Sequence, residues 1–180
     1  RDYLEKVKDH ESQINVMNMQ YSDSILWRKK VLHLAGASEA SQQAALLSAL
    51  IPQADIINKP YWGAKTYLVK KSTTGQVEAA NSALVDDLFN SGVAFIQFFG
   101  HSSSTTMDYN LDFPENYKNY RRYPVFMANG CSAGDMFILQ GGKSLGERFV
   151  FAKNKGALAF IASVNTGYTN YLSRYTDSLY

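Results

Sequence analysis

The sequence predicts an α/β domain built on a mostly parallel sheet. Apolar runs of strand length alternate with segments of helical periodicity along the whole chain, which is typical of that class. The length of 180 residues suffices for one sizeable core, and 46% hydrophobic with 19% charged residues is typical of globular domains. We therefore expect a single domain over residues 1–180. Because the chain stops inside a helical pattern over 170–180, we expect it to be part of a longer protein.

The first elements are two helices and a buried strand. Apolar residues share one side of a short amphipathic helix over Tyr3–Glu11. Lys30–Gly36 is an apolar run of strand length. A second helix is expected over Glu39–Leu50, with Ser38 as its cap and Pro52 at its end.

The middle of the chain predicts two further strands around a helix. Residues 64–70 are rich in β-forming side chains. Apolar residues recur at helical spacing over Val77–Asn90, and Gly92 supplies the stop. Residues 93–99 (Val-Ala-Phe-Ile-Gln-Phe-Phe) predict the third strand, the strongest in the chain.

Two more strands follow in the last third. Residues 123–128 predict a fourth strand, and 157–163 a fifth. Between them, Ser144 and Glu147 have the spacing of a capping box, so a helix should begin there and end near Gly156.

Charge and composition exclude several classes of function. A net charge of +2 with scattered basic residues gives no reason to expect a nucleic-acid partner. No apolar run reaches the roughly 20 residues that cross a bilayer, so no membrane contact is expected from this domain, and the polar N-terminus is unlike a signal peptide. One cysteine rules out an internal disulfide framework.

A candidate base and a candidate nucleophile follow the third and fourth strands. His101 and Cys131 each lie at the first polar positions beyond a buried strand, and each is preceded by a glycine, Gly100 and Gly130. Ligands bind outside the carboxyl ends of strands in open α/β sheets. If these strands are neighbours, the imidazole lies beside the thiol and activates it as a nucleophile. The amide of Cys131 then points to a developing oxyanion.

Each residue also has a structural interpretation. A lone cysteine is most often a small buried hydrophobe, and a strand-end histidine often bonds a nearby loop. Cys131, however, lies beyond the apolar run rather than within it, and His101 occupies the matching position on another strand. His33 lies inside the first strand and His10 on the first helix, so we interpret both as structural.

No cofactor is predicted. No second histidine or cysteine has metal-ligand spacing from His101 or Cys131, and no acidic loop resembles a calcium site. Structural calcium held by backbone carbonyls stays open, because sequence does not show carbonyl ligands. A serine hydrolase is disfavoured by the absence of a Gly-x-Ser-x-Gly elbow.

Two segments carry a family resemblance. Phe98-Phe99-Gly100-His101-Ser102, and the run from Pro124 through Asn129-Gly130-Cys131-Ser132 to Asp135, resemble the histidine and cysteine motifs of the gingipain peptidases. They resemble still more the sortase-like component of the type IX secretion system. The similarity covers nearly the whole chain, although only these two motifs are specific.

The resemblance implies a caspase-like three-layer α/β/α sandwich and a Cys–His dyad acting on polypeptides. It also implies an exported protein of the outer membrane or cell surface, with the periplasm as the alternative, and other secretion-system components as partners. In that family an acidic residue near the end of the first strand often orients the histidine, which points to Glu39. Glu39 also has a purely structural interpretation, because the helix dipole favours an acidic residue in the first turn of a helix.

One departure from the family is Ser102, where these peptidases usually have glycine. Serine keeps the amide that contributes to the oxyanion hole, but a positive φ would be costly there. This departure motivates an alternative, a domain that no longer cleaves and acts as a scaffold in a secretion or surface complex.

The sequence says little about which residue the peptidase prefers before the cleaved bond. The segment after the fifth strand, with Asn165 and Tyr168, is expected to form one wall of the pocket for the residue before the cut. No acidic cluster occurs there, which argues against a trypsin-like preference. Tyr61 and Trp62 are further candidates for lining the pocket, with burial in the core as the alternative. The residues leave hydrolysis and transpeptidation equally open.

Overall fold

A computed structural model describes residues 2–14, 25–72, 75–109, 111, 113–137 and 142–180. The strands are β1 (Lys30–Gly36), β2 (Lys65–Lys70), β3 (Phe95–Gly100), β4 (Val125–Asn129) and β5 (Ala159–Ala162). The helices are α1 (Asp2–Ile14), α2 (Ala40–Ile57), α3 (Gly75–Ser91), α4 (Leu145–Phe151) and α5 (Thr169–Asp177). Strands and α-helices alternate except between β3 and β4, where the sequence also predicts a loop.

The five strands form one parallel sheet in the order β2-β1-β3-β4-β5. Neighbouring parallel strands require crossover connections, and α2 and α3 supply those around β2, while α4 joins β4 to β5. The order reverses at β1, because the chain first moves outward to β2 and then returns to the other side as β3. The expectation that the third and fourth strands are neighbours is confirmed.

Alternate residues of the strands face two separate helical layers. Leu34, Phe98 and Phe126 belong to the larger core cluster, together with residues of α3 and α4. Ala35 and Phe99 point the other way and pack with the residues of α2. The period-two alternation of a buried strand therefore produces a three-layer α/β/α sandwich, and the predicted fold class is confirmed.

The ends of α2 differ from the prediction. Ser38 does not cap the helix, because the helix begins one residue later, with Glu39 at the N-cap position and no side-chain cap. Pro52 lies inside the helix rather than ending it. Proline removes one backbone hydrogen bond, but the next residue, Gln53, is buried and donates to Asp177 at 2.6 Å. This tertiary contact holds the second half of the helix in place.

Two predicted helix signals are present as expected. Ser144 accepts from the amide of Glu147, and the Glu147 carboxylate accepts from the amide of Ser144, which completes the capping box of α4. Gly92 follows α3 with φ of 97°, a left-handed conformation that glycine adopts without steric cost.

A buried lysine attaches α1 to the sandwich. The Lys6 ammonium is fully buried and donates to the carbonyls of Phe149 at 3.2 Å, Val150 at 2.8 Å and Ala157 at 3.2 Å. The first two carbonyls end α4, where a cation is favoured by the helix dipole. Burial nevertheless lowers the pKa of Lys6 to about 8.

Polar side chains form a hydrogen-bonded chain between the sheet and the α2–α5 layer. His33 of β1 bonds the Tyr180 hydroxyl at 2.7 Å, and that hydroxyl donates to Gln97 at 2.8 Å. Gln97 in turn donates to Gln53 of α2 at 2.8 Å. Desolvation lowers the pKa of the fully buried His33 to about 4, so the imidazole is neutral at pH 7. His33 is therefore part of the core, as its position within β1 predicts.

Candidate active site

The two candidate reactive residues follow paired strand ends. Phe99 of β3 pairs with Asn129 of β4, so His101 and Cys131 each come two residues after one register position. Gly36 of β1 pairs with Gly100 on the other side. The loops that leave these strands therefore meet at the carboxyl edge, beside the point where the strand order reverses, which is where open α/β sheets bind ligands.

Glycines allow the backbones to approach closely at this edge. A Cβ on Gly100 would lie 2.5 Å from the carbonyl oxygen of Gly36. A Cβ on Gly130 would overlap the hydroxyl of Ser102 and lie 2.8 Å from the carbonyl oxygen of Gly100. Real Cβ atoms do not approach other atoms so closely. The residues before both His101 and Cys131 are thus glycine because the neighbouring loop occupies the space of a side chain.

The Cys131 thiol is half-buried and free. Its Sγ accepts from the amide of Gly167 at 3.5 Å and lies 3.9 Å from the Gly167 carbonyl oxygen. The thiol is therefore held between the end of β4 and the segment that follows β5, rather than within the apolar core.

The His101 imidazole is exposed and has a side-chain partner. Its Nε2 lies 3.2 Å from Oε1 of Gln42, which is in the first turn of α2. Because a carboxamide oxygen only accepts, this contact assigns the proton to Nε2 and leaves Nδ1 as the basic nitrogen. Gln42 therefore orients the imidazole and sets its tautomer.

The neighbouring glutamine fixes the helix that carries Gln42. The Gln43 amide donates to the carbonyl of Ala37 at 2.9 Å and to that of Lys71 at 2.7 Å. These carbonyls follow β1 and β2, so the start of α2 is bound to two strand ends. Gln42 is consequently held at a defined distance from the sheet edge.

Ser102 joins the two reactive loops. Its hydroxyl donates to the carbonyl of Cys131 at 2.8 Å. Ser102 and Met107 form an antiparallel bridge whose hydrogen bonds run from the amides of Ser103 and Asp108, so the bridge does not use the Ser102 amide. Ser102 is not among the described residues with positive φ. The cost expected for serine at this position therefore does not arise.

Left-handed backbone occurs instead directly after the thiol. Ser132 has φ of 55°, and its amide donates to the carbonyl of Asn165 at 3.0 Å. A non-glycine residue in this region is held there by its surroundings, and such strain is concentrated at functional sites. The turn directs the chain away from β4 and leaves Cys131 at its start.

A cleft of about 280 Å³ lies beside the thiol and the imidazole. The Cys131 and His101 loops line it together with Gly167, and further lining residues come from α2, α5 and the end of β3. Both candidate residues of the sequence analysis thus line one cavity, together with Gly100 and Gly130.

Other sequence-predicted residues lie outside this cleft. Glu39 is exposed at the N-cap of α2, and the contact with the imidazole comes from Gln42 instead. The backbone carbonyl of Asn165 accepts from the amide of Ser132, and Tyr168 is exposed at the N-cap of α5. Neither of these two side chains lines the cavity, although their neighbours Gly167 and Thr169 do.

Tyr61 and Trp62 belong neither to the cleft nor to the core. Tyr61 is 88% exposed and Trp62 51% exposed, in the turn before β2. That turn is at the amino edge of the sheet, opposite the cleft, so the expectation that they line the pocket is wrong.

The residue that sequence reasoning missed is Gln42. Its side chain carries no charge, and the search for a residue to orient the imidazole was directed at acids. The available signal was its place in the first turn of the helix after β1, which must begin at the carboxyl edge of a parallel sheet.

Metal and membrane features are not found in the described part of the chain. No group of three histidine, cysteine or acidic side chains there is arranged to hold a metal ion. None of the described helices combines the length and apolarity needed to traverse a bilayer.

A family model matches the complete sequence. The model of peptidase family C25 covers residues 1–180. The chain belongs to this family. No curated protein sequence matches it significantly.

Solved structures share the fold at low sequence identity. A structure described as that of a protease superposes with a TM-score of 0.69 at 20% identity, covering 94% of this chain and 34% of its own. The Arg-specific cysteine proteinase gingipain R gives 0.64 at 18%, covering 95% and 40%. The complex of the Porphyromonas gingivalis RgpB pro- and mature domains gives 0.61 at 18%, covering 96% and 40%. This C25 chain thus spans between a third and two fifths of the length of these proteins.

Proposed function

We propose that this C25 domain is a cysteine peptidase that acts through Cys131 and His101. The observation that carries the proposal is that the thiol and the imidazole line one cleft at the carboxyl edge of the sheet. Gln42 serves as a positioning residue for the imidazole. Polypeptides are the proposed substrates, in keeping with membership of a peptidase family.

The first chemical step forms an acyl-enzyme. His101 takes the thiol proton, Sγ of Cys131 attacks the peptide carbonyl carbon, and the carbonyl oxygen becomes an oxyanion. The amides of Cys131 and Ser102 are the proposed donors to that oxyanion. His101 then gives its proton to the leaving amine as the C–N bond breaks, and the substrate remains attached as a thioester.

The second step releases the acyl group. Water attacks the thioester carbon, His101 takes its proton, and the C–S bond breaks to return the free thiol. In a transpeptidase an amine takes the place of water and a new peptide bond forms. Adding a peptide with a free α-amine to the reaction separates the two, because a transpeptidase yields a ligated product that mass spectrometry identifies.

Iodoacetamide alkylation tests the Cys–His pair directly. The chain has one cysteine, so every alkylated molecule reports on Cys131. We expect fast labelling at pH 7 and a rate lower by about tenfold or more in His101→Ala, because the thiol loses the base that takes its proton. His10→Ala, on α1, is the matched control and should retain the wild-type rate. An inert thiol, or equal rates in His101→Ala and wild type, would overturn the proposal and leave the scaffold interpretation.

Export to the outer membrane or cell surface, with secretion-system components as partners, is proposed on the sequence resemblance alone. Fractionation of cells that express the full-length protein tests it. Recovery of the protein from the cytoplasmic fraction would contradict it.

A further inference from the structure

Much of the lining of the cleft is apolar. Ala37 after β1, Ala45 and Leu46 of α2, Phe99 of β3 and Leu172 of α5 provide it. Leu46 and Phe99 belong to a buried cluster, against which Leu172 packs. A side chain that enters the cleft therefore meets hydrocarbon.

The polar side chains that line the cleft are few: Gln42, His101, Asn129, Cys131 and Thr169. Gln42 bonds the imidazole, and Asn129 donates to Thr176 at 2.7 Å. No carboxylate is among the described residues that line the cavity. Of the nearby acids, Asp135 accepts from the amide of Phe137 and Asp177 from Gln53. A lysine or arginine side chain in this cleft would have no anionic partner.

The helices add an electrostatic argument in the same direction. The first turns of α2 and α5 both border the cleft, through Gln42 and Thr169. The amino end of a helix carries partial positive charge. Tyr168 at the N-cap of α5 does not offset this charge, whereas the exposed carboxylate of Glu39 at the N-cap of α2 offsets it in part. At the α5 end, the field therefore disfavours a cation as well.

The cavity has room for a whole side chain. About 280 Å³ is near the lower limit of ligand pockets, which hold about 300–1,000 Å³. That space admits one side chain of any common size, so the preference must come from the apolar lining.

We propose that this cleft receives an uncharged aliphatic side chain, of leucine or methionine size, from the residue that precedes the scissile bond. The proposal rests on the peptidase function proposed above, because it assigns Cys131 as the group that attacks that residue's carbonyl. Burial of the side chain against Leu46 and Leu172 supplies the selectivity, and each methylene contributes about tenfold or more in rate.

A matched series of peptidyl acyloxymethyl ketones tests the preference. The compounds differ only in the residue next to the ketone: leucine, methionine, alanine, aspartate, lysine or arginine. Cys131 displaces the carboxylate leaving group to form a thioether, and intact-mass spectrometry gives its rate of modification. We expect leucine and methionine to react at least about tenfold faster than alanine and than the charged members.

Three results would overturn the preference: fastest reaction with lysine or arginine, fastest reaction with aspartate at the helix ends, or equal rates across the series. Iodoacetamide labelling run in parallel distinguishes this failure from failure of the proposed function. His101-dependent alkylation with no leucine preference refutes the specificity alone. An inert thiol refutes both.

Neighbouring alanines of α2 provide a matched pair of variants. Ala45 lines the cleft, whereas Ala44 is equally exposed and lies outside it. Ala45→Asp introduces a carboxylate, so the leucine compound should slow and the lysine compound accelerate, each by about tenfold. Ala44→Asp adds the same charge and should retain the wild-type order of rates. Similar changes in both variants would contradict the assignment of this cavity to the side chain.

Discussion

Oε1 of Gln42 lies 3.2 Å from Nε2 of His101, so a neutral amide occupies the position where an acid is expected to orient the imidazole. We expect Gln42→Ala to lower kcat/KM by about 10- to 100-fold, because the ring is no longer held in one orientation. Gln42→Glu should move the acid limb of the pH profile to higher pH, since a carboxylate beside the ring stabilises the imidazolium, which cannot take the thiol proton. The pH profile of kcat/KM measures both effects.

Ser41→Ala is the control for these variants, because Ser41 is exposed in the same helical turn. It should match the wild type. A Gln42→Glu profile that coincides with the wild-type profile would show that Gln42 does not act on the imidazole.

Gly130→Ala tests the close approach of the two reactive loops. The added Cβ overlaps the Ser102 hydroxyl and the carbonyl of Gly100, so one loop must move. We expect the free energy of unfolding to fall by about 1–3 kcal/mol and alkylation of Cys131 to lose its dependence on His101. Gly142→Ala meets nothing within 4 Å and should change stability by less than about 0.5 kcal/mol. Equal stabilities of the two variants would refute the packing described here.

Lys6→Ala tests the attachment of α1. It leaves the carbonyls of Phe149, Val150 and Ala157 without their donor, the first and last of them buried, so the free energy of unfolding should fall by about 2–4 kcal/mol. Lys8→Ala, two residues along the same helix, removes only an exposed ion pair with Glu5 and should cost less than about 0.5 kcal/mol. Denaturant titration measures both. A loss in Lys6→Ala no larger than that in Lys8→Ala would contradict the role of the buried ammonium.

His33 makes stability depend on pH. Its pKa is about 4 in the folded protein and 6.5 in the unfolded chain, so the unfolded state binds the proton more readily. The contribution of His33 to the free energy of unfolding is fully present above pH 6.5. It is lost as the pH falls towards 4, by about 3 kcal/mol in all.

The variant His33→Gln isolates that contribution from the carboxylates, which titrate in both proteins. Between pH 7 and 4 the wild type should lose about 3 kcal/mol more than the variant when unfolded by denaturant. Parallel losses would show that His33 is not buried as the neutral form.

The strands were predictable because buried parallel strands are continuous apolar runs. The sequence locates β1 to the residue and the remaining strands to within about two residues at each end. Its placement of His101 and Cys131 at adjacent strand ends depends only on that regularity. The capping box of α4 is equally local, since its donors and acceptors lie three residues apart.

What escaped prediction depends on contacts between distant residues. Pro52 would end an isolated helix, but α2 continues past it because Gln53 is hydrogen-bonded to Gln97 and Asp177. The orientation of His101 by Gln42 requires the start of α2 to be bound to two strand ends, which no local pattern encodes. The burial of Lys6 likewise arises from a contact more than 140 residues away.

The cleft draws its reactive groups from strand ends and most of its apolar lining from helices. Cys131 and His101 follow β4 and β3, whereas Leu46 and Leu172 belong to helices α2 and α5. Substitutions on the helices can therefore change the accepted substrate while the strand ladder keeps the chemistry intact. Such a division allows substrate specificity to change among related proteins by single substitutions on the helices, without an inactive intermediate sequence.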